Sequence, residues 1–551
     1  MFVLLIALIA GGWAFQADAA KTTVCTITVN SANEKDAFRR YLPKDKFEFV
    51  ELLEPGRRDW LASACQQKVQ CDVLVISGHF GGAQVAATEF YSDQPGGAEF
   101  LPVEEMERAS CSESCPGLFS RLKEVYLFGC ETLGSEATKT TSGEIARTLV
   151  HAGYAPVDAE RVARALNERH GETNRDRMRR IFANVPVIYG FSSIAPLGPA
   201  ASSLLNRYFQ SASSGEVGSG RVSQKMLSTF AANSMTVATG LVDSDRQNAY
   251  RSEVCQFFDE RLSAAQKLAF IHRILGREMT EVRMFFERIE AFLGSISDEE
   301  RRAPSFAQAL AEIGRDQVAR DRYLSFARKG DSPPIRARMI EVAYTLGWLS
   351  QEQQRAEIVR MINELVADTA MSFAEVDLIC SLNKNRELDE EFNGLKLVQS
   401  QFGKAKYAAA LACLGSPEGR TRVLVALTSP SDDDVQMAQI YLRHRPITDA
   451  SEFRIVANGV ARMPRSGAQV RALDALARQH ISDRESLDEL TRLFAVTDSV
   501  SVQRAIAGVF IRSDYHAIDK LELVRVLRQN RLKSSDGEDL IDVLIRRLQL
   551  A

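Results

Sequence analysis

His79 and Cys130 are the two side chains whose types and settings point to nucleophilic chemistry. His79 follows the apolar run Val73 to Ile76 and is trailed by Phe80, Gly81 and Gly82. Cys130 follows a second such run, Val125 to Phe128, and Gly129 and Gly134 bracket it together with Glu131 and Thr132. A cysteine attacks as its thiolate, and an adjacent imidazole supports that form. The imidazole then hands a proton to the leaving amine, work suited to a group that titrates near neutrality. The oxyanion formed on the attacked carbonyl needs fixed N–H donors, which the backbone around Gly81 and the amide of Cys130 can supply. Glycine at 81 and 82 also lets a peptide approach the main chain closely. Singly, a cysteine after an apolar run reads as a buried structural thiol, and a loop histidine as one bonded to nearby backbone. Jointly, at two strand ends and in this order, they read as a dyad. No third catalytic residue is apparent.

These residues need strands to deliver them. Val73 to Ile76 and Val125 to Phe128 have the composition of short buried strands. Open α/β sheets bind ligands at the carboxyl ends of such strands. The surrounding chain alternates. Thr23 to Val29 reads as a strand, Asn33 to Tyr41 as a helix, Phe47 to Leu53 as a strand and Asp59 to Gln67 as a helix. A long loop carrying Pro95, Gly96 and Gly97 then leads to the Cys130 strand. Thr141 and Glu144 have capping-box spacing and open a helix through His151. Ser234 to Val242 reads as a last strand, which makes the Ser/Gly-rich stretch 210–223 a loop inside the domain. The pattern predicts an α/β fold with a mostly parallel sheet covered by helices on both faces.

His79 lies 51 positions before Cys130, and in caspases the histidine lies about 50 residues upstream of the cysteine. The stretch Leu127 to Ser135, LFGCETLGS, resembles the Cys-Glu-Thr stretch of the CHAT group of caspase-like cysteine peptidases, in the clan that includes caspases, separases and gingipains. Val185 to Ser193, followed by a helix over Ala200 to Phe209, resembles the segment after the cysteine in the same group. The resemblance covers roughly residues 22–245. It implies a caspase-like domain with His79 and Cys130 as catalytic residues and a protein or peptide as substrate, with no cofactor and no metal. One departure stands out: the family has glycine directly after the histidine, where its N–H helps form the oxyanion hole, and here Phe80 comes before Gly81. Relatives prefer either acidic or basic residues before the scissile bond. Glu34, Asp36, Glu89 and Asp93 are candidates to line an acidic pocket that would take Lys or Arg.

The first 19 residues read as a signal peptide: an apolar run from Phe2 to Phe15, then the small-x-small pattern Ala17, Asp18, Ala19. No later stretch approaches a spanning length, so the mature chain is expected not to span a membrane and to be exported, periplasmic or secreted. A net charge of −4 gives no basic field for nucleic acid. In an oxidising compartment some of the nine cysteines should pair. Cys65 with Cys71 and Cys111 with Cys115 are the close candidates, and the odd total leaves a free thiol, expected at Cys130. The same four cysteines could imitate a thiolate zinc site, but the five-residue gap between Cys65 and Cys71 is unusual for one.

Seven arginines between Asp158 and Arg180 sit on one amphipathic helical stretch; mixed with Glu168, Glu172 and Asp176, they read as a solvated face. Beyond Cys255 the pattern is helix after helix, with capping-box spacing at Ser263, Ser297, Ser350 and Ser482. Segments starting at Ile335, Val435, Val470 and Val502 resemble one another, and the last three start 35 and 32 positions apart, similar to HEAT-type repeats. Such units stack into solenoids that present a surface to a partner protein. The expected organisation is a signal peptide over 1–19, a caspase-like domain over 20–245, a helical connector over 246–330 and HEAT-like repeats over 331–551. The expected function is an exported cysteine endopeptidase with a helical region for partner or substrate binding. The alternative is a catalytically inactive caspase-like scaffold that acts as a protein–protein adaptor.

Overall fold

The computed structural model describes residues 21–53, 61–82, 88–92, 100–112, 115, 117–135, 141–212, 214–395, 401, 403–464, 466–514, 518–532 and 539–550. The expected signal peptide, the Pro95–Gly97 turn and Asp93 lie outside these residues. The chain divides into two compact units, one ending at Asp331 and the other running from Ser332 to Ala551.

The first unit begins β1 (Thr22–Thr28), α1 (Asn33–Tyr41), β2 (Phe47–Leu53), α2 (Ala62–Gln66), β3 (Val73–Ser77), β4 (His79–Gly82), β5 (Thr88–Tyr91), β6 (Phe100–Pro102) and α3 (Val103–Cys111). It continues with β7 (Glu124–Phe128), α4 (Thr141–His151), α5 (Pro156–His170), α6 (Asn174–Ile181), β8 (Val187–Phe191), α7 (Pro199–Ser211), α8 (Gln224–Thr229) and β9 (Met235–Ala238). Six further helices close it: α9 (Asn248–Phe258), α10 (Ala264–Leu275), α11 (Met279–Ser295), α12 (Asp298–Arg302), α13 (Pro304–Arg315) and α14 (Gln317–Arg328). The segment 246–330 is thus part of the same unit as the sheet.

Six strands form one sheet in the order β2-β1-β3-β7-β8-β9. Every pair is parallel except β8 with β9. β3, β7 and β8 are buried along their whole length, which is why they read as unbroken apolar runs rather than alternating ones. One face packs Val73, Val75, Tyr126 and Phe128 against α1 and α7 through Phe38, Tyr208 and Phe209. The other packs Leu74, Ile76, Val125 and Leu127 against α2, α3 and α6 through Ala64, Met106 and Met178. At the amino end of β7, the buried Glu124 carboxylate accepts the Gly218 and Gly220 N–H groups at 2.8 and 2.9 Å and the Tyr126 hydroxyl at 2.7 Å. The Ser/Gly stretch therefore folds back into the domain as a clasp on the sheet.

Several expectations need correction. The long loop before the Cys130 strand contains a second sheet, three-stranded and antiparallel in the order β4-β5-β6, followed by α3. The disulfides are Cys25–Cys71, Cys65–Cys115, Cys111–Cys255 and Cys380–Cys413. The close pairing Cys65 with Cys71 fails because Cys71 enters the sheet beside β1, where Cys25 is 5.7 Å away between Cα atoms, while Cys65 stays on α2. Cys111 ends α3 and is taken by Cys255 on α9, so Cys115 is left to α2. The arginine-rich stretch is two helices, and its face is not wholly solvated. Thr173 caps α6 by accepting the Asp176 N–H at 3.1 Å. Arg180 is buried, donates to the His170 carbonyl at 2.6 Å and lies 3.9 Å from the buried Glu107. Glu107 in turn pairs with Arg288 of α11 at 2.9 Å. Glu144 pairs with the buried Arg283 at 2.6 Å.

The second unit is α15 (Pro333–Thr345), α16 (Gln351–Ala367), α17 (Phe373–Leu382), α18 (Ala405–Cys413), α19 (Pro417–Ala426), α20 (Asp432–His444), α21 (Ala450–Ala461), α22 (Gly467–Ala477), α23 (Arg484–Val496), α24 (Val500–Arg512), α25 (Lys520–Asn530) and α26 (Leu540–Leu550). Each helix from α18 onward packs against the one two places along, α18 on α20 on α22 on α24 on α26 and α19 on α21 on α23 on α25, which makes two stacked layers. Buried glutamines recur between the layers. Gln469 donates to the Val460 carbonyl at 2.9 Å and Gln503 to the Phe494 carbonyl at 3.1 Å, each meeting the end of the preceding helix. Capping boxes form at Ser263, Ser297 and Ser350, and also at Ser372. At the fourth expected position Asp483, not Ser482, caps α23. No helix among the described residues is long and apolar enough to cross a membrane.

Candidate functional site

β3 and β7 are hydrogen-bonded parallel neighbours, with Ser77 opposite Phe128. The Gly78 N–H donates to the Phe128 carbonyl at 3.1 Å and carries that pairing past the end of β3. His79 and Cys130 each follow by two residues the last paired residues of these neighbouring strands. Side chains alternate between faces along a strand. Val73 and Val75 share a face with Tyr126 and Phe128. Cys130 is half-buried, packs against the α1/α7 core and is the cysteine without a disulfide. Its sulfur accepts the Ala195 N–H at 3.4 Å.

The turn after the thiol is held from several sides. Glu131 has φ of 55°, a left-handed conformation that non-glycine residues adopt mainly where surrounding contacts impose it. Its N–H donates to the Ser193 carbonyl at 2.8 Å, and its carbonyl accepts the Gly134 N–H at 2.9 Å and the Asn174 side chain at 3.0 Å. Thr132 is fully buried; its hydroxyl donates to the Gly129 carbonyl at 3.1 Å and accepts the Phe191 N–H at 3.2 Å. Gly190 is required beside it, because a Cβ there would lie 2.7 Å from the Thr132 hydroxyl. The Glu-Thr pair after the cysteine thus ties the end of β7 to the loop after β8, which carries Ile194, 77% exposed, next to the contact with the sulfur.

Phe80 has a physical reason to stand where it does. It points to the face opposite His79, is buried, and its ring lies 4.8 Å from that of Phe90. Gly129 makes room for it: a Cβ at 129 would be 2.7 Å from the Phe80 Cβ. His79 stacks on Tyr91 with 5.4 Å between ring centroids. Gly81 pairs with Glu89 on β4–β5, and among the described residues beyond its chain neighbours no heavy atom lies within 4 Å of where its Cβ would be.

The four acidic candidates separate. Glu34 is fully buried in the first turn of α1, where it accepts the Gly198 N–H at 2.6 Å and the Ser31 hydroxyl at 3.0 Å; burial pushes its carboxyl pKa up. It is pinned between two loops instead of lining an open pocket. Asp36 is exposed on α1. Glu89 lies on the outward face of the small sheet, and Asp93 falls outside the described residues. Cys65, Cys71, Cys111 and Cys115 are all in disulfides, and the described residues hold no group of three or more His, Cys, Asp or Glu arranged for a metal. Sequence reasoning missed the Ala195 N–H on the sulfur and the Tyr91 ring against His79; neither β5 nor the loop approach leaves a pattern in the chain.

No protein-family model, no curated protein and no solved structure matches this chain.

Proposed function

We propose that the chain is a cysteine endopeptidase of the caspase-like kind, with Cys130 as nucleophile and His79 as its acid–base partner. The Cys130 thiol gives its proton to His79, and the sulfur bonds to the carbonyl carbon of a peptide bond. The oxyanion is met by backbone N–H groups, for which Cys130 and the β4 backbone at Gly81 are the candidates. Collapse breaks the C–N bond, and His79 protonates the departing amine. Water, losing its proton to His79, then splits the thioester and returns the thiol. What supports this reading is that the one unpaired cysteine follows β7 and His79 follows its parallel neighbour β3, each two residues beyond the last paired position.

The four disulfides support an oxidising compartment, hence export. The stacked helices of the second unit suit a HEAT-like surface for a partner or substrate. The test is to incubate the protein with a peptide library and a thiol-directed probe. Cleavage and labelling that vanish in Cys130→Ala support the proposal. Equal labelling of both proteins, with no cleavage, replaces it with a non-catalytic scaffold.

A further inference from the structure

The reaction dictates how a bound peptide lies. The thiol must face the carbonyl carbon, and the imidazole must face the nitrogen that leaves. Residues on the new amine side therefore run from Cys130 past His79, onto the outward face of the small antiparallel sheet. Cross-strand pairing builds that face: His79 opposite Tyr91, Tyr91 opposite Phe100, Gly81 opposite Glu89 and Glu89 opposite Pro102. Phe80, Phe90 and Leu101 take the other face and are buried, so the alternation across the three strands is complete. Tyr91 and Phe100 remain 38% and 40% exposed in a row that begins at the imidazole. Among the described residues nothing but its chain neighbours comes within 4 Å of a Cβ at Gly81, and Glu89 pairs with it.

We propose that this face is the subsite for residues after the scissile bond, with Glu89 taking a cationic side chain and the Tyr91–Phe100 shelf an apolar or aromatic one. Charge complementarity decides the class of occupant. Burial, and then the neighbouring carboxylate of Glu104, hold the Glu89 carboxyl above its ordinary pKa, and no cation among the described residues offsets them. A Lys or Arg of the substrate would relieve both. The proposal rests on the endopeptidase reading and adds to it the residues that read the leaving side.

The experiment sequences the new amino termini released from a mixed peptide library by the full chain and its variants. Lys or Arg together with aromatic residues should be enriched within the first few positions. Glu89→Gln should cut the cationic preference about two- to fivefold, as for a partly exposed ion pair. Glu89→Lys should turn it toward acidic residues, a gain that misfolding cannot mimic. Tyr91→Ala and Phe100→Ala should each lower the aromatic preference about two- to tenfold. Cleavage with a flat profile at these positions, or one that Glu89→Lys leaves unchanged, overturns the subsite and leaves the dyad standing. Absence of any Cys130-dependent cleavage overturns both.

Discussion

Gly129→Ala probes the coupling between the core and the site. An alanine Cβ at 129 would lie 2.7 Å from the Phe80 Cβ, 3.0 Å from the Phe90 ring and 3.1 Å from the Gly78 carbonyl oxygen. Comfortable carbon–carbon contact needs about 3.5–4.0 Å, so something must move by about 1 Å. Phe80 meets the clash through its Cβ and Gly78 through its backbone, so neither can relieve it by rotating a side chain. The strain is thus passed to the main chain of β4, the strand that begins with His79. Overpacking of this kind costs about 1–3 kcal/mol. A misplacement near 1 Å can cost about 10²-fold in rate. Gly81→Ala is the control for stability, since among the described residues only its chain neighbours come within 4 Å of its Cβ, and it should change stability by no more than about 0.5 kcal/mol. The assay pairs chemical unfolding with steady-state cleavage of one peptide. Gly129→Ala with wild-type stability and wild-type kcat would refute the claim that the close approach of Phe80 to Gly129 constrains β4 and the His79 that begins it.

Denatured, unreduced protein should show one titratable thiol per chain and none in Cys130→Ser, because all eight other cysteines are bridged. Glu107→Ala should destabilise the first unit by about 3–5 kcal/mol in denaturant unfolding, since it strands the buried Arg180 and the Arg288 that pairs with it. His170 is buried, and that burial lowers its pKa to about 4. The unfolded chain therefore binds the extra proton first, and stability should fall as pH drops from about 6.5 toward 4. Unfolding measured across that window in wild type and His170→Gln should show a shallower slope in the variant. His79→Ala should lower kcat about 10²–10⁴-fold, with a loss of stability no larger than about 1.5 kcal/mol, as for one aromatic stacking pair.

The parts of the chain that were legible are those whose pattern is local. β2 and α1 fall on the residues their composition marks, and β3 and β7 announce themselves by continuous burial. The free thiol followed from an odd cysteine count and the setting of Cys130. What stayed hidden depends on distant partners. β5 and β6 are four and three residues long, too short for alternation to register, and they gain their structure from pairing with β4. The disulfides follow from strand neighbours, not from spacing along the chain. Arg180 looks like a surface charge until Glu107 is packed beside it. In the second unit the shared Val/Ala pattern suggested repeats, while the glutamines that do the same work, Gln469 and Gln503, stand out only once their carbonyl partners are known.

The most direct test of the central claim is mass spectrometry of the protein acid-quenched during turnover of a peptide. The account predicts an acyl adduct, equal in mass to the part of the peptide before the cleaved bond, attached at Cys130 and absent from Cys130→Ala. Turnover without that adduct, or an adduct that persists in Cys130→Ala, would contradict it.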